Sequence, residues 1–165
     1  KRAMARLLLI DNDEKIVSLV ALLLRKSGHE VRTAISFVQA REELLQAVAK
    51  GEAFDLALSD YEMGLERADE ELPKLIQAGL MPATLVVSGY LDDVLVGQLL
   101  AIKGVVGTLK KPFDFTSLSN AVAQALVRAQ DLKLAQAAQQ DAALEADKEA
   151  PVDERLEDDG WEELS

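Results

Sequence analysis

Cysteine is missing from the 165 residues, which excludes disulfides, thiol chemistry and zinc sites built on thiolates. Long apolar runs are missing too: nothing approaches the ~18–20 apolar residues that a membrane-spanning helix needs. The opening KRAMARLLLIDN begins basic, but its apolar stretch is short and meets Asp11 at once, so it does not read as a signal peptide. Nor is there a basic excess. The formal net charge is −11, and residues 141–165 hold eleven Asp or Glu against Lys148 and Arg155. Residues 1–140 therefore carry only −2. The acidity belongs to a tail, and neither part has the footprint of a nucleic-acid binder. The expectation is a cytoplasmic protein with no membrane span and no direct contact with nucleic acid.

Short apolar runs alternate with helical periodicity. ARLLLI (5–10) reads as a buried strand. From Asp13 onward Ile16, Leu19, Val20 and Leu23 fall at helical spacing, with Asn12 or Asp13 as N-cap and Gly28 as the stop. HEVRTA alternates like a strand, and VQAREELLQAVAKG reads as a helix closed by Gly51. DLALS, ATLVVS and VVGTL are the third to fifth strands. ADEELPKLIQAG, with Pro73 near its first turns, and LDDVLVGQLLAIKG are the helices between them. A last, long helix begins near Thr116. Five strands alternating with five helices predict an α/β fold, a doubly wound five-stranded parallel sheet covered on both faces. Ligands in such sheets bind beyond the carboxyl ends of the strands.

Those ends carry chemistry. The first strand ends at Asp11, Asn12 and Asp13, the third at Asp60, the fourth at Ser88, and the fifth runs into Lys110, Lys111 and Pro112. Carboxylates suit a hard cation such as Mg²⁺ that keeps several waters. A lysine and a hydroxyl suit phosphoryl oxygens. Together they suit phosphoryl transfer to a carboxylate. Taken singly, Asp60 reads as a turn residue at a strand end, Asp11 as a loop acid and Ser88 as a buried hydroxyl. Lys110 reads as a surface lysine and Asp55 as structural. His29, at a helix-to-strand turn, is assigned no chemistry.

Over residues 5–130 the sequence resembles the CheY-like receiver domains of bacterial response regulators. LLLIDNDEKI is similar to that family's first strand and acidic cluster, and SGHEVRTA to its second strand. FDLALSDYEM is similar to its phosphoacceptor strand, LVVSGY to the strand carrying its hydroxyl, and LKKPF to its Lys-Pro motif. The resemblance implies a flavodoxin-like (βα)5 fold and makes Asp60 the phosphoacceptor. It implies Mg²⁺ (or Mn²⁺) held by Asp11, Asn12, Asp60 and the backbone carbonyl of Glu62. Ser88 and Lys111 would contact the phosphoryl group, with a cis peptide between Lys111 and Pro112. The partners implied are a histidine kinase or phosphotransfer protein, and a downstream protein, an output domain or a second copy of the chain. Such a domain is a signalling module and no turnover enzyme.

Three positions depart from the family's pattern. Asn12 stands where a second Asp is usual, weakening cation binding, while Asp13 is better explained as a helix cap. Gly64 replaces a Pro and would loosen the loop after Asp60. Thr108 occupies the place of the switch aromatic, which neither Tyr61 nor Tyr90 can simply replace. These departures favour an alternative, a degenerate receiver that binds proteins without phosphorylation. A remoter alternative follows from LLLIDND, which also resembles the opening of haloacid-dehalogenase-type phosphatases, with Asp11 as nucleophile and Asp13 as general acid. It leaves Asp60 unexplained and lacks the later acidic pair, Asp114 being the only acid before the last helix.

The receiver is thus expected over 1–130, a helical extension or linker over 131–150, and an acidic, disordered tail over 151–165. Leu118, Val122, Ala125, Leu126 and Ala129 would pack the last helix on the sheet. Beyond Leu132 the apolar stripe thins, which suits a linker better than a coiled coil between two chains. Trp161, with Leu156 and Leu164, is a candidate docking motif. So short a remainder holds no DNA-binding or nucleotide-cyclising domain. Output would come from the receiver's own surface or from a domain outside this sequence.

Overall fold

The computed structural model describes residues 4–149. The sequence features expected at 151–165, Leu156, Trp161 and Leu164 among them, lie outside those residues. The elements run β1 (Arg6–Ile10), α1 (Glu14–Lys26), β2 (Glu30–Ala34), α2 (Phe37–Lys50), β3 (Leu56–Asp60), β4 (Glu62–Met63) and β5 (Glu66–Arg67). They continue with α3 (Ala68–Gln77), β6 (Thr84–Ser88), α4 (Asp93–Leu100), β7 (Val105–Lys110) and α5 (Phe115–Glu149). Five strands form one sheet in the order β2-β1-β3-β6-β7, every neighbouring pair parallel. This is the doubly wound sheet that the alternating pattern predicts.

Successive side chains of β1, all buried from Leu7 on, point alternately to the two faces of the sheet and divide the core between them. Leu7 and Leu9 point to the face covered by α1 and α5, against Val17, Val20, Leu24, Leu118 and Val122. Leu8 and Ile10 point the other way, to Phe37, Ala40 and Leu44 of α2 and Leu72 and Leu75 of α3. Leu7, Leu8, Ile10, Leu56, Leu72 and Leu118 have no exposed surface, each worth roughly 1.5–3 kcal/mol of burial. Central strands buried on both faces have no polar alternation, which is why they read as plain apolar runs.

The helix ends follow local chemistry. Asp13 caps α1, its carboxylate accepting from the N–H groups of Lys15 at 3.0 Å and Ile16 at 3.3 Å. Ser36 caps α2 through Gln39 N–H, and Gly51 closes that helix at φ +67°, a left-handed conformation that L side chains rarely adopt. Pro73 sits within the first two turns of α3, as expected, so α3 lacks one backbone donor there. One helix differs from expectation. α4 stops at Leu100, because Ile102 turns into the core and the chain joins β7 through Gly104, whose carbonyl accepts from Thr84 N–H at 2.8 Å.

β7 carries an irregularity that pairing makes visible. Thr84 pairs with Val105, but Leu85 pairs with Gly107, so Val106 is an extra residue opposite β6. Its carbonyl accepts from Arg128 Nη1 of α5 at 2.9 Å. Gly107 then faces Leu85, where a Cβ would lie only 3.2 Å from the Leu85 Cδ1 atom.

The contacts of the chain divide after Leu132. Before that point α5 buries Leu118, Val122, Ala125 and Ala129. After it, the helix continues with the side chains of residues 133–148 exposed. Among the described residues, no helix is long and apolar enough to cross a membrane.

Candidate functional site

β1, β3, β6 and β7 stand side by side, so their carboxyl ends converge. Asp11 follows β1, Asp60 closes β3, Ser88 closes β6, and Lys111 follows β7. Backbone pairing continues past the strands: Asp11 N–H donates to Ala34 O, Tyr61 N–H to Val87 O, and Lys111 N–H to Ser88 O. The sheet ladder therefore fixes where each side chain leaves the backbone. The Lys111–Pro112 peptide is cis, as the resemblance implies.

Asp11 and Asp60 are each only 4% exposed. Lys111 Nζ lies 3.0 Å from Asp11 Oδ2, a hydrogen bond, and 3.1 Å from Asp60 Oδ1. The second contact has the distance of an ion pair without hydrogen-bond alignment, so Asp60 Oδ1 is buried with no donor aimed at it. Asp11 is better served, its Oδ1 accepting from Asp13 N–H at 2.9 Å. Burial first, and then the neighbouring Asp11 carboxylate, push the Asp60 pKa up to about 6, although Lys111 opposes them and Glu62 adds slightly. Lys111 is pulled down by burial, but its two carboxylate partners together outweigh that and raise it above the ordinary lysine value.

Ser88 has no exposed surface. Its Oγ accepts from Tyr90 N–H at 3.1 Å and stands 2.9 Å from Tyr90 O and 2.5 Å from Glu62 Oε1. The Glu62 side chain is thus engaged with the hydroxyl. β4 and β5 pair antiparallel, Glu62 with Arg67 and Met63 with Glu66, around the two-residue turn Gly64-Leu65. Gly64 has φ +69°, which fits the first position of a hairpin turn. The residue expected to loosen this loop instead builds a hairpin. The hairpin has one sequence signal, Gly-Leu between two short pairs, too weak to stand out among longer runs.

The remaining candidates separate clearly. Asn12 is exposed and lies beside the Gly64 turn, where a Cβ would come within 3.5 Å of Asn12 Nδ2. Asp13 is occupied as the α1 cap, which leaves it no part as a general acid. Asp55 is structural, its Oδ2 accepting from Arg6 N–H at 2.7 Å. Thr108 lies half-buried in β7 opposite Val86, and Lys110 is exposed. Tyr90 is 66% exposed, its hydroxyl 3.1 Å from Asp92 Oδ2.

Among the described residues, no three Asp, Glu, His or Cys side chains gather into a cation site. Two carboxylates do converge, and one of their buried oxygens has no donor. That donor set fits a cation that takes few protein oxygens and retains water, as Mg²⁺ does.

A five-stranded parallel sheet with two acids, a hydroxyl and a lysine at its carboxyl edge defines an α/β protein of the CheY-like kind. The family of response regulator receiver domains matches residues 7–123, and the chain belongs to it. A response regulator receiver domain protein from Clostridium thermocellum is 27% identical, with a TM-score of 0.60 over 78% of this chain and 99% of that one. The chemotaxis protein CheY4 of Vibrio cholerae is 26% identical, with a TM-score of 0.61 over 74% and 99%. The receiver domain of a putative LuxO repressor protein from Vibrio parahaemolyticus, 18% identical, shares the fold with a TM-score of 0.64 over 82% and 98%. No curated protein matches.

Proposed function

We propose that Asp60 is a phosphoacceptor, taking a phosphoryl group from the phosphohistidine of a histidine kinase or phosphotransfer protein. The observation that carries this reading is the buried Asp60 Oδ1, without a donor, facing a lysine that Asp11 holds in place. A carboxylate oxygen of Asp60 attacks phosphorus, the phosphorus–nitrogen bond breaks, and the imidazole leaves with the bonding pair. Mg²⁺, when bound by Asp11 and Asp60 with Asn12 and the Glu62 carbonyl, would neutralise charge on the transferring group. Lys111 and the Ser88 hydroxyl then hold the phosphoryl oxygens.

Aspartyl phosphate is a mixed anhydride, so its own hydrolysis limits the signal. The domain catalyses only its own phosphorylation and dephosphorylation, and it signals through its surface to a partner protein in the cytoplasm. An apolar groove of about 480 Å3 opens beside Lys111, lined by Ile16, Leu19, Leu23, Pro112 and Phe113. A helical partner presenting its histidine could lay an apolar face there. The face made by α4, β7 and the first turns of α5 would carry the output.

Intact mass after incubation with acetyl phosphate tests the reading, with and without Mg²⁺, on the wild type and Asp60→Asn. A Mg²⁺-dependent phosphoryl adduct is expected on the wild type alone. Absence of an adduct on a folded protein would shift the function to phosphorylation-independent protein binding.

A further inference from the structure

We infer that the Glu62 side chain gates Ser88, holding the hydroxyl's single proton until a phosphoryl group on Asp60 displaces it. This rests on the phosphoacceptor reading of Asp60 and adds a device that the reading does not require.

The geometry is specific. Ser88 Oγ stands 2.5 Å from Glu62 Oε1, closer than its 2.9 Å to Tyr90 O. A hydroxyl donates once, and the distance to the carboxylate is that of a short, charge-assisted hydrogen bond. The Tyr90 N–H fills an acceptor position on the same oxygen. With no exposed surface on Ser88, water cannot supply a substitute partner from outside. The hydroxyl is therefore already committed.

A phosphoryl group brings only acceptor oxygens to Ser88, as does the carboxylate. Neither can donate to the other, so the two exclude each other at one proton, and both are negative. Glu62 can leave cheaply. It is an exposed residue at the start of β4, whereas the buried Met63 anchors the hairpin. Rotation of Glu62 into water disturbs no apolar packing. Its backbone stays in place, so substitution of the side chain spares the carbonyl proposed as a cation ligand.

The test uses beryllofluoride, a non-covalent phosphoryl mimic, titrated calorimetrically with Mg²⁺. The proteins are the wild type, Glu62→Gln, Glu62→Ala, Ser88→Ala and the Glu62→Ala/Ser88→Ala double variant, with Asp60→Asn as the blank. Releasing one competing hydrogen bond should tighten binding to Glu62→Ala by about 3- to 10-fold. Glu62→Gln keeps an acceptor and should gain less. In the Ser88→Ala background the gain should vanish, because no proton remains to be freed. Thermal melts without beryllofluoride supply a second readout, in which Glu62→Ala and Ser88→Ala should be non-additive.

An equal gain with and without Ser88 would make Glu62 a matter of bulk charge and overturn the gate. So would additive melts, or wild-type binding that Glu62→Ala does not improve. If neither the wild type nor Glu62→Ala binds the mimic, the phosphoacceptor reading itself falls and takes the gate with it.

Discussion

Lys111 Nζ stands 3.1 Å from Asp60 Oδ1 without hydrogen-bonding it, while Asp11 Oδ2 binds the same ammonium at 3.0 Å. One acid holds the lysine and the other receives its charge. The arrangement keeps one buried cation ion-paired with both carboxylates.

Removing that cation leaves two carboxylates facing each other in a site nearly closed to water. Lys111→Met is expected to cost about 2–4 kcal/mol at pH 7.5, measured by urea denaturation. The loss should shrink at pH 4, where Asp60 is protonated and the repulsion relieved. A pH-independent loss would mean that Lys111 acts by packing alone.

The Asp60 pKa, raised to about 6 from an ordinary 3.8, predicts a stability cost with a definite sign. The folded state binds the proton more tightly than the unfolded chain. The native state therefore loses stability as pH climbs from about 3.8 to 6, and the full cost stands above that. Asp60→Asn should be the more stable protein by roughly 1–3 kcal/mol at pH 7.5. At pH 3.5 the two should unfold alike. A destabilised Asp60→Asn at pH 7.5 would contradict the raised pKa.

Asn12 offers a cation a neutral oxygen where a carboxylate would add charge. Asn12→Asp should bind Mg²⁺ roughly 3- to 10-fold more tightly, read from the rise of melting temperature with Mg²⁺ concentration. The exposed position of Asn12 makes a folding penalty small. An unchanged Mg²⁺ response would remove position 12 from the cation's ligands.

Gly64→Pro would restore the family's usual residue, but φ +69° at Gly64 lies far from the −65° that a proline ring imposes. The variant should lose the β4–β5 hairpin, seen as lost amide protection at residues 62–67. Gly64→Ala should cost about 1 kcal/mol. Full hairpin protection in Gly64→Pro would show that the turn tolerates another geometry.

Most of the architecture is legible because each element is locally consistent. Apolar runs mark the strands, 3.6-residue spacing marks α1, α2 and α5, and Asp13 and Gly51 mark helix ends. The site residues are legible because they stand where apolar runs stop, which in a parallel sheet is where the backbone leaves the core. Interactions between elements were hidden. β4 and β5 have two residues each, too few for any period. The Glu62–Ser88 contact joins residues from separate strand ends, and only the sheet order brings them together. α4 ended early because Ile102 found a place in the core, which periodicity cannot reveal.

The extra residue in β7 works as a phase shift. Val105 faces the α2–α4 layer, but after Val106 the alternation inverts, so Gly107 and Leu109 lie on the α1–α5 side. Two lysines follow in succession, and the frame set by Val106 decides which one reaches the acids. Deleting Val106 would put Gly107 directly after Val105, opposite Leu85 as now, and leave Lys111 on its side, whereas absorbing Val106 into regular pairing with every residue kept would turn Lys110 toward the side where Lys111 now stands. The bulge itself, rather than the number of residues in β7, is what keeps Lys111 beside the acids.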